Sequence, residues 1–212
     1  MKRGRLIVVE GLEGAGKSTA MQTLEVLFQR HHLSYITTRE PGGTSLGEMV
    51  RTLLKHAHEE PLHPRAELLL FYAARVQLYE TVVKPALEQG IWVLADRCEL
   101  SSFAYQGGGR DLDSHILKEL SAFCVGDLQA DLLFYLDITP EIGLERAKMR
   151  GTLDRIEQEP LSFFQKVHAA YHYYLQQYPS VVCIDAAQDL PQVQEDLKLA
   201  MIHYLATQDV SA

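Results

Sequence analysis

Short apolar runs alternate along the 212-residue chain with longer stretches in which apolar positions recur every three or four residues. The runs are Leu6–Val9, Leu33–Thr38, Ile91–Ala95, Leu132–Leu136 and Val181–Ile184. Each is nearly continuous in apolar character, the pattern of strands buried on both faces of a parallel sheet. Helical patterns lie between them, at Lys17–His31, Leu46–His56, Pro64–Gln89, Asp113–Val125, Pro140–Arg150, Pro160–Gln177 and Pro191–Ala206. The β-α-β-α succession predicts an α/β fold, a doubly wound five-stranded parallel sheet flanked by helices. No repeat, low-complexity tract or Pro/Gly-rich linker interrupts it, so residues 1–212 read as a single domain. Gly107-Gly108-Gly109 is too short to separate domains and reads as a loop near the carboxyl ends of the strands, where such sheets bind ligands.

The first run leads into Gly11-Leu12-Glu13-Gly14-Ala15-Gly16-Lys17-Ser18, a G-x-x-x-x-G-K-[ST] match, followed by Thr19 and a helical stretch. Strand, glycine loop and helix in that order are the setting the pattern requires. The glycines let the backbone wrap a phosphate chain with its N–H groups pointing inward. The helix N-terminus adds partial positive charge and Lys17 a full one, while the Ser18 hydroxyl can hold a magnesium ion. Gly11 through Thr19 therefore form the candidate site for a nucleoside triphosphate.

Composition narrows the setting. The net charge of −8 disfavours a general nucleic-acid partner, because phosphate backbones need a basic face. Met1-Lys2-Arg3-Gly4-Arg5 is basic but lacks the apolar core and cleavage site of a signal peptide, and no apolar run approaches a membrane span. Cys98, Cys124 and Cys183 lie far apart, without C-x-x-C or zinc-type spacing, and read as reduced thiols of a cytoplasmic protein.

A phosphate loop identifies the donor class and leaves the acceptor open. The chain contains no asparagine, so the N-K-x-D motif that reads guanine in GTPases is absent. The variable loop positions carry no cation, yet phosphoryl transfer needs positive charge on the migrating group. Arg146 and Arg150 are four apart, on one face of a helix; Gly151 offers a stop or hinge, and Arg155 follows. Residues 146–157 are either an arginine-bearing lid or a solvated basic helix end that favours the helix dipole. Asp96-Arg97 closes the third run. Asp96 can reach a magnesium ion through water and Arg97 can fork onto an acceptor phosphate, or the two belong to a strand-end ion pair. Arg39-Glu40-Pro41-Gly42-Gly43-Thr44 ends the second run and opens a turn. Phe71 and Arg75 share a helix face, as a base clamp of ring and guanidinium or as core packing. Ser101–Gln106 offers hydroxyls and an amide suited to a pyrimidine edge, groups equally at home in helices and caps.

Taken together, Val9–Ser18, Arg39–Thr44, Asp96-Arg97, Ala104–Arg110 and Asp154-Arg155-Ile156-Glu157 resemble the bacterial thymidylate kinases, over about Leu6 to Ala186. The resemblance implies a P-loop nucleoside-monophosphate kinase fold, usually homodimeric, in which ATP with Mg²⁺ phosphorylates dTMP to dTDP for dTTP synthesis. By position it implies that Lys17 and the loop amides hold the donor phosphates, with Ser18 at the metal. It places Glu13 at the deoxyribose 3′-hydroxyl or metal shell, Arg97 on the dTMP phosphate, and Glu40 and Arg51 beside it. Phe71 would stack on thymine, Arg75, Ser102 and Gln106 would meet its polar edge, and Tyr105 would crowd the sugar 2′ position. Arg146, Arg150 and Arg155 would close on the donor, as in the subclass that keeps its catalytic arginine in the lid. Cys98 stands where the family commonly has an aromatic or histidine, and Lys148 where related lids often carry arginine. A thiol beside Arg97 is expected to be somewhat reactive, and a lysine to make a single rather than forked contact. Two other readings remain at this point: a deoxynucleoside kinase with Asp96 or Glu13 as base, and a non-catalytic ATP-binding regulator.

Overall fold

The five apolar runs form one all-parallel sheet in the order β2-β3-β1-β4-β5, in a computed structural model that describes residues 3–56 and 59–209. β1 (Leu6–Gly11), β3 (Trp92–Asp96) and β4 (Leu132–Asp137) make the centre, and β1 is buried along its whole length. Burial on both faces is why these runs do not alternate. The edges, β2 (Tyr35–Arg39) and β5 (Val181–Asp185), are more exposed. Registers Val9↔Asp96 and Gly11↔Leu136 bring the carboxyl ends of β1, β3 and β4 side by side. From β1 the chain visits β2 and β3 on one side, then crosses to β4 and β5 on the other. The crevice at this reversal lies at the carboxyl end of β1, where the glycine loop begins.

α1 (Lys17–Arg30) starts directly after Gly16, whose φ of 91° is open to glycine and strained for other residues. α2 (Ser45–Lys55) is capped by Thr44, whose Oγ1 accepts from Gly47 N at 2.9 Å. α3 (Pro64–Leu78) continues through a π-helical turn, Tyr79–Val83, into α4 (Lys84–Glu88). The single rod expected over Pro64–Gln89 thus carries a widened turn just before Pro85, which has no N–H for a regular α-helical bond.

The loop expected at Gly107–Gly109 is helical instead. α5 (Leu100–Ser102) runs into a π-helical turn, Phe103–Gly109, which packs on α8 (Leu161–Leu175). A Cβ on Gly108 would stand 2.4 Å from Ala170 Cβ, and one on Gly109 would stand 2.4 Å from the Phe163 ring. These glycines permit close approach of two helical segments, and that contact outweighs their poor helix propensity. α6 (Ser114–Cys124), α7 (Pro140–Met149) and α9 (Leu190–Asp209) complete the layers. α7 stops where the sequence suggests, with Gly151 at φ 135° leading the chain away. The core joins Ile7, Val8, Leu94 and Phe134 of the sheet to Leu24 and Phe28 of α1, Val167 of α8 and Leu197 and Met201 of α9. No helix among the described residues is long and apolar enough to cross a membrane. Met1 and Lys2, part of the basic N-terminal stretch, lie outside the described residues.

Candidate active site

A cavity of about 400 Å³ opens at the carboxyl ends of the central strands. Its floor is the glycine loop. Lys17 Nζ donates to Gly11 O at 3.0 Å and Leu12 O at 2.8 Å, so the ammonium spans the loop. Burial, and secondarily the nearby Arg97 charge, lowers its pKa to about 8. Gly14, at φ 72°, sits against α7: a Cβ there would lie 2.1 Å from Gly143 O. A Cβ on Gly143 would lie 2.6 Å from Glu13 O. Two glycines thus bring the loop backbone onto the helix that bears Arg146 and ends just before Arg150.

Arg97 follows β3 with φ 74°, a left-handed conformation that non-glycine residues rarely adopt. The turn directs its guanidinium to Glu13 Oε1 (2.9 Å), Ser101 Oγ (3.0 Å), Tyr171 OH (3.1 Å) and Tyr105 OH (3.3 Å). Behind it Glu10 is fully buried. Its carboxylate accepts from Cys98 N, Ser101 Oγ and Tyr171 OH at 2.8–2.9 Å and stands 3.6 Å from Arg97. Burial by itself works against the Arg97 charge; Tyr105, Tyr171, Glu13 and Glu10 outweigh it and hold the guanidinium protonated.

Phe71, Ser102 and Gln106 also line the cavity. Beneath it Arg75 is 1% exposed and donates through Nε to Glu40 Oε2 at 2.6 Å. Arg75 Nη1 and Ser102 Oγ are buried without a hydrogen-bond partner. Such groups cost about 1–3 kcal/mol each, and Ser102, which lines the cavity, suits a polar ligand edge that completes its hydroxyl. Asp96 Oδ1 is likewise buried and unpartnered, next to the loop.

The three arginines expected in a lid are dispersed. Arg146 lines the cavity while Nη1 donates to Ala186 O at 2.8 Å. Arg150, also lining it, pairs with Glu157 at 2.8 Å and is 60% exposed. Arg155 is turned away: Nε donates to Leu54 O at 2.8 Å and Nη2 to Glu67 Oε2 at 2.6 Å. Burial opposes ionisation of Glu67, but hydrogen bonds from Arg110, Gln106 and Arg155 prevail and hold its carboxyl below the ordinary range.

A family model described as thymidylate kinase matches residues 9–197. The chain belongs to the thymidylate kinase family. A thymidylate kinase of Legionella pneumophila strain Corby is 51% identical over 203 residues, covering 95% of this chain and 96% of its own. One from strain Paris is 50% identical over 203 residues, with the same coverage.

Of the residues singled out for thymidylate kinase chemistry, Glu13, Gly14, Gly16, Lys17, Ser18, Thr19, Glu40, Arg51, Phe71, Asp96, Arg97, Ser102, Tyr105, Gln106, Arg146 and Arg150 line one cavity. Gly11, Leu12 and Ala15 are buried behind it, and Arg75 reaches it through Glu40. Arg155 does not border it. Lys148 is exposed on α7 and is not part of the lining. One expectation is corrected: Cys98 is 6% exposed, and burial with the Glu10 and Glu40 carboxylates pushes its thiol well up. Next to Arg97 in sequence, it is an unreactive core thiol. Sequence reasoning read Ser101 for a pyrimidine edge, whereas it holds Arg97, and passed over Glu10 and Tyr171, which hold Arg97 with it, and Lys55, which lines the cavity and pairs with Asp154 at 2.8 Å. Glu10 had a legible signal, a carboxylate at the end of an otherwise apolar strand. Tyr171 had none, since only the docking of α8 brings it near β3.

Proposed function

We propose that this cleft transfers the γ-phosphoryl group of ATP in line to the phosphate of dTMP, giving ADP and dTDP. The observation that carries the reading is one cavity with two kinds of lining. The glycine loop with Lys17 and the aromatic, hydroxyl and amide groups of Phe71, Ser102 and Gln106 line the same cavity, and Arg97, which also lines it, is anchored on Ser101 and on Glu13 of the loop. The acceptor phosphate is already an anionic nucleophile, so the site needs position and positive charge rather than a strong base. Glu10, the most buried carboxylate of the site, is accordingly committed to Ser101, Tyr171 and Cys98 N.

Lys17 exchanges the Gly11 and Leu12 carbonyls for donor phosphate oxygens. Arg97 grips the acceptor phosphate, with Glu40 and Arg51 beside it, while Glu13 meets the 3′-hydroxyl and Tyr105 crowds the 2′ position. Phe71 stacks on thymine, and Arg75, Ser102 and Gln106 read its polar edge. Arg146, Arg150 and Arg155, in a lid of residues 146–157, close on the donor and exclude water. The Ser18 hydroxyl and the unpartnered Asp96 Oδ1 are hard oxygen donors that fit Mg²⁺. When bound, that ion neutralises charge on the donor phosphates.

The enzyme is proposed to act as a cytoplasmic homodimer of single-domain subunits. Met49 and Leu53 on α2, Leu69 on α3 and Ile116 and Phe123 on α6 are exposed apolar residues suited to a subunit contact; a monomer by sedimentation at assay concentration overturns it. The catalytic reading is tested by ADP release with Mg²⁺ and ATP over dTMP, dUMP, dCMP, AMP and thymidine. Strong stimulation by dTMP, weaker by dUMP, is expected. Stimulation by thymidine identifies a nucleoside kinase. No stimulation despite ATP binding identifies a regulator.

A further inference from the structure

Outside the cleft, Asp137 at the carboxyl end of β4 meets two histidines of α8. His168 and His172 are four residues apart and share a helix face. Their Nε2 atoms lie 2.9 and 3.2 Å from one oxygen, Asp137 Oδ1, and 3.1 Å from each other. The three atoms form a nearly equilateral triangle. Hydrogen bonding satisfies it poorly. If both Nε2 atoms carry hydrogen, two N–H groups crowd each other; if one does not, its lone pair faces the carboxylate; if both rings are protonated, two cations stand side by side.

A cation over the triangle resolves this. An ion 2.0–2.1 Å from all three atoms sits about 1 Å above their plane, and a tetrahedron with those bond lengths has edges of about 3.3 Å. The side chains need to spread by only a few tenths of an ångström. Among the described residues this is the one group of three such side chains that brings its donor atoms together. Side-chain exposures of 34% for Asp137, 26% for His168 and 46% for His172 leave the cluster open to solvent, giving an entry path and room for a water ligand. Tyr135 packs edge-on against His172 at 5.8 Å, and its buried hydroxyl has no partner.

We propose that Asp137, His168 and His172 bind a borderline divalent transition ion of the zinc class, with water in the fourth position. Two imidazoles and one carboxylate suit Zn²⁺, whereas Mg²⁺ prefers an octahedron of oxygens. None of the three residues lines the nucleotide cavity, so the site is separate from any ion carried by the donor. Its link to the cavity is α8: Tyr171, the neighbour of His172, donates to Glu10 and accepts from Arg97. The ion staples α8 to β4 and steadies Tyr171 behind Arg97.

The test uses untagged full-length protein, titrated with Zn²⁺ in competition with a chromophoric chelator and, separately, with Co²⁺. One ion per chain, a rise in Tm and the intense visible bands of four-coordinate cobalt are expected. His168→Ala and His172→Gln should each abolish all three responses, and Asp137→Asn should weaken them. A His31→Ala/His32→Ala control should leave them intact, and His168→Ala should keep its zinc-free phosphotransfer activity. Weak binding with a six-coordinate cobalt spectrum in the wild type, or equal binding by wild type and His172→Gln, overturns the proposal.

Discussion

Arg97 and the three arginines proposed for the lid carry the same charge under opposite circumstances. Arg97 is held by Glu13 of the loop, Ser101 of α5, Tyr105 of the π-helical turn and Tyr171 of α8, with a buried carboxylate behind them. Arg150 lies open to solvent on one carboxylate, and Arg155 is engaged by Glu67 and Leu54 O outside the cavity. On the proposed reading the acceptor side is therefore preorganised, with its geometry set at folding. On the same reading the donor side has still to be assembled, and Arg155 would give up a 2.6 Å ion pair with Glu67 to take part. That division suits a kinase in which premature closure over ATP would favour hydrolysis.

The comparison breaks first at Arg97. Arg97→Ala should lower kcat/KM for dTMP by about 10³-fold, while ATP affinity measured by calorimetry stays near wild type. Near-normal turnover would remove Arg97 from the acceptor phosphate. Arg155→Ala should cost about 10²-fold in kcat with dTMP affinity unchanged; a change in affinity alone would mean that Arg155 serves Glu67 and never reaches the donor. Gly108→Ala should destabilise by about 1–3 kcal/mol, read as a lower midpoint in denaturant, and raise KM for dTMP because Tyr105 and Tyr171 share the strained contact. An unchanged midpoint would show that the Gly108–Ala170 contact yields without cost. The smallest effect belongs to Lys17. With a free-state pKa of about 8, its ammonium is charged below that value and lost above it, so binding at higher pH must take up a proton. ATP affinity should fall about tenfold between about pH 7 and pH 9, and a flat profile would detach Lys17 from the donor phosphates.

Legibility followed the range of the interactions involved. The glycine loop was readable because its chemistry is contiguous: Gly14, Gly16, Lys17 and Ser18 act through backbone conformation and a helix end a few residues away. The central strands were readable because double burial leaves unbroken apolar runs; the exposed edge was less so, and β2 begins at Tyr35 rather than Leu33. The Gly107–Gly109 segment misled because its glycines answer to Phe163 and Ala170, more than fifty residues on. Cys98 misled for a related reason. Adjacency to Arg97 suggested activation, but the backbone turn sends the guanidinium to the cavity and the thiol to the core.

By itself, then, the amino-acid sequence determined the α/β succession, the triphosphate loop and most of the residues that meet in the cavity, since each depends on local periodicity or spacing. Tertiary structure alone decided that Glu10, Ser101 and Tyr171 anchor Arg97, that Arg155 rests on Glu67, and that Asp137 meets His168 and His172. These are pairings across up to 161 positions of chain. Their partners become neighbours only when the sheet order and the docking of α8 are set by burial of the core.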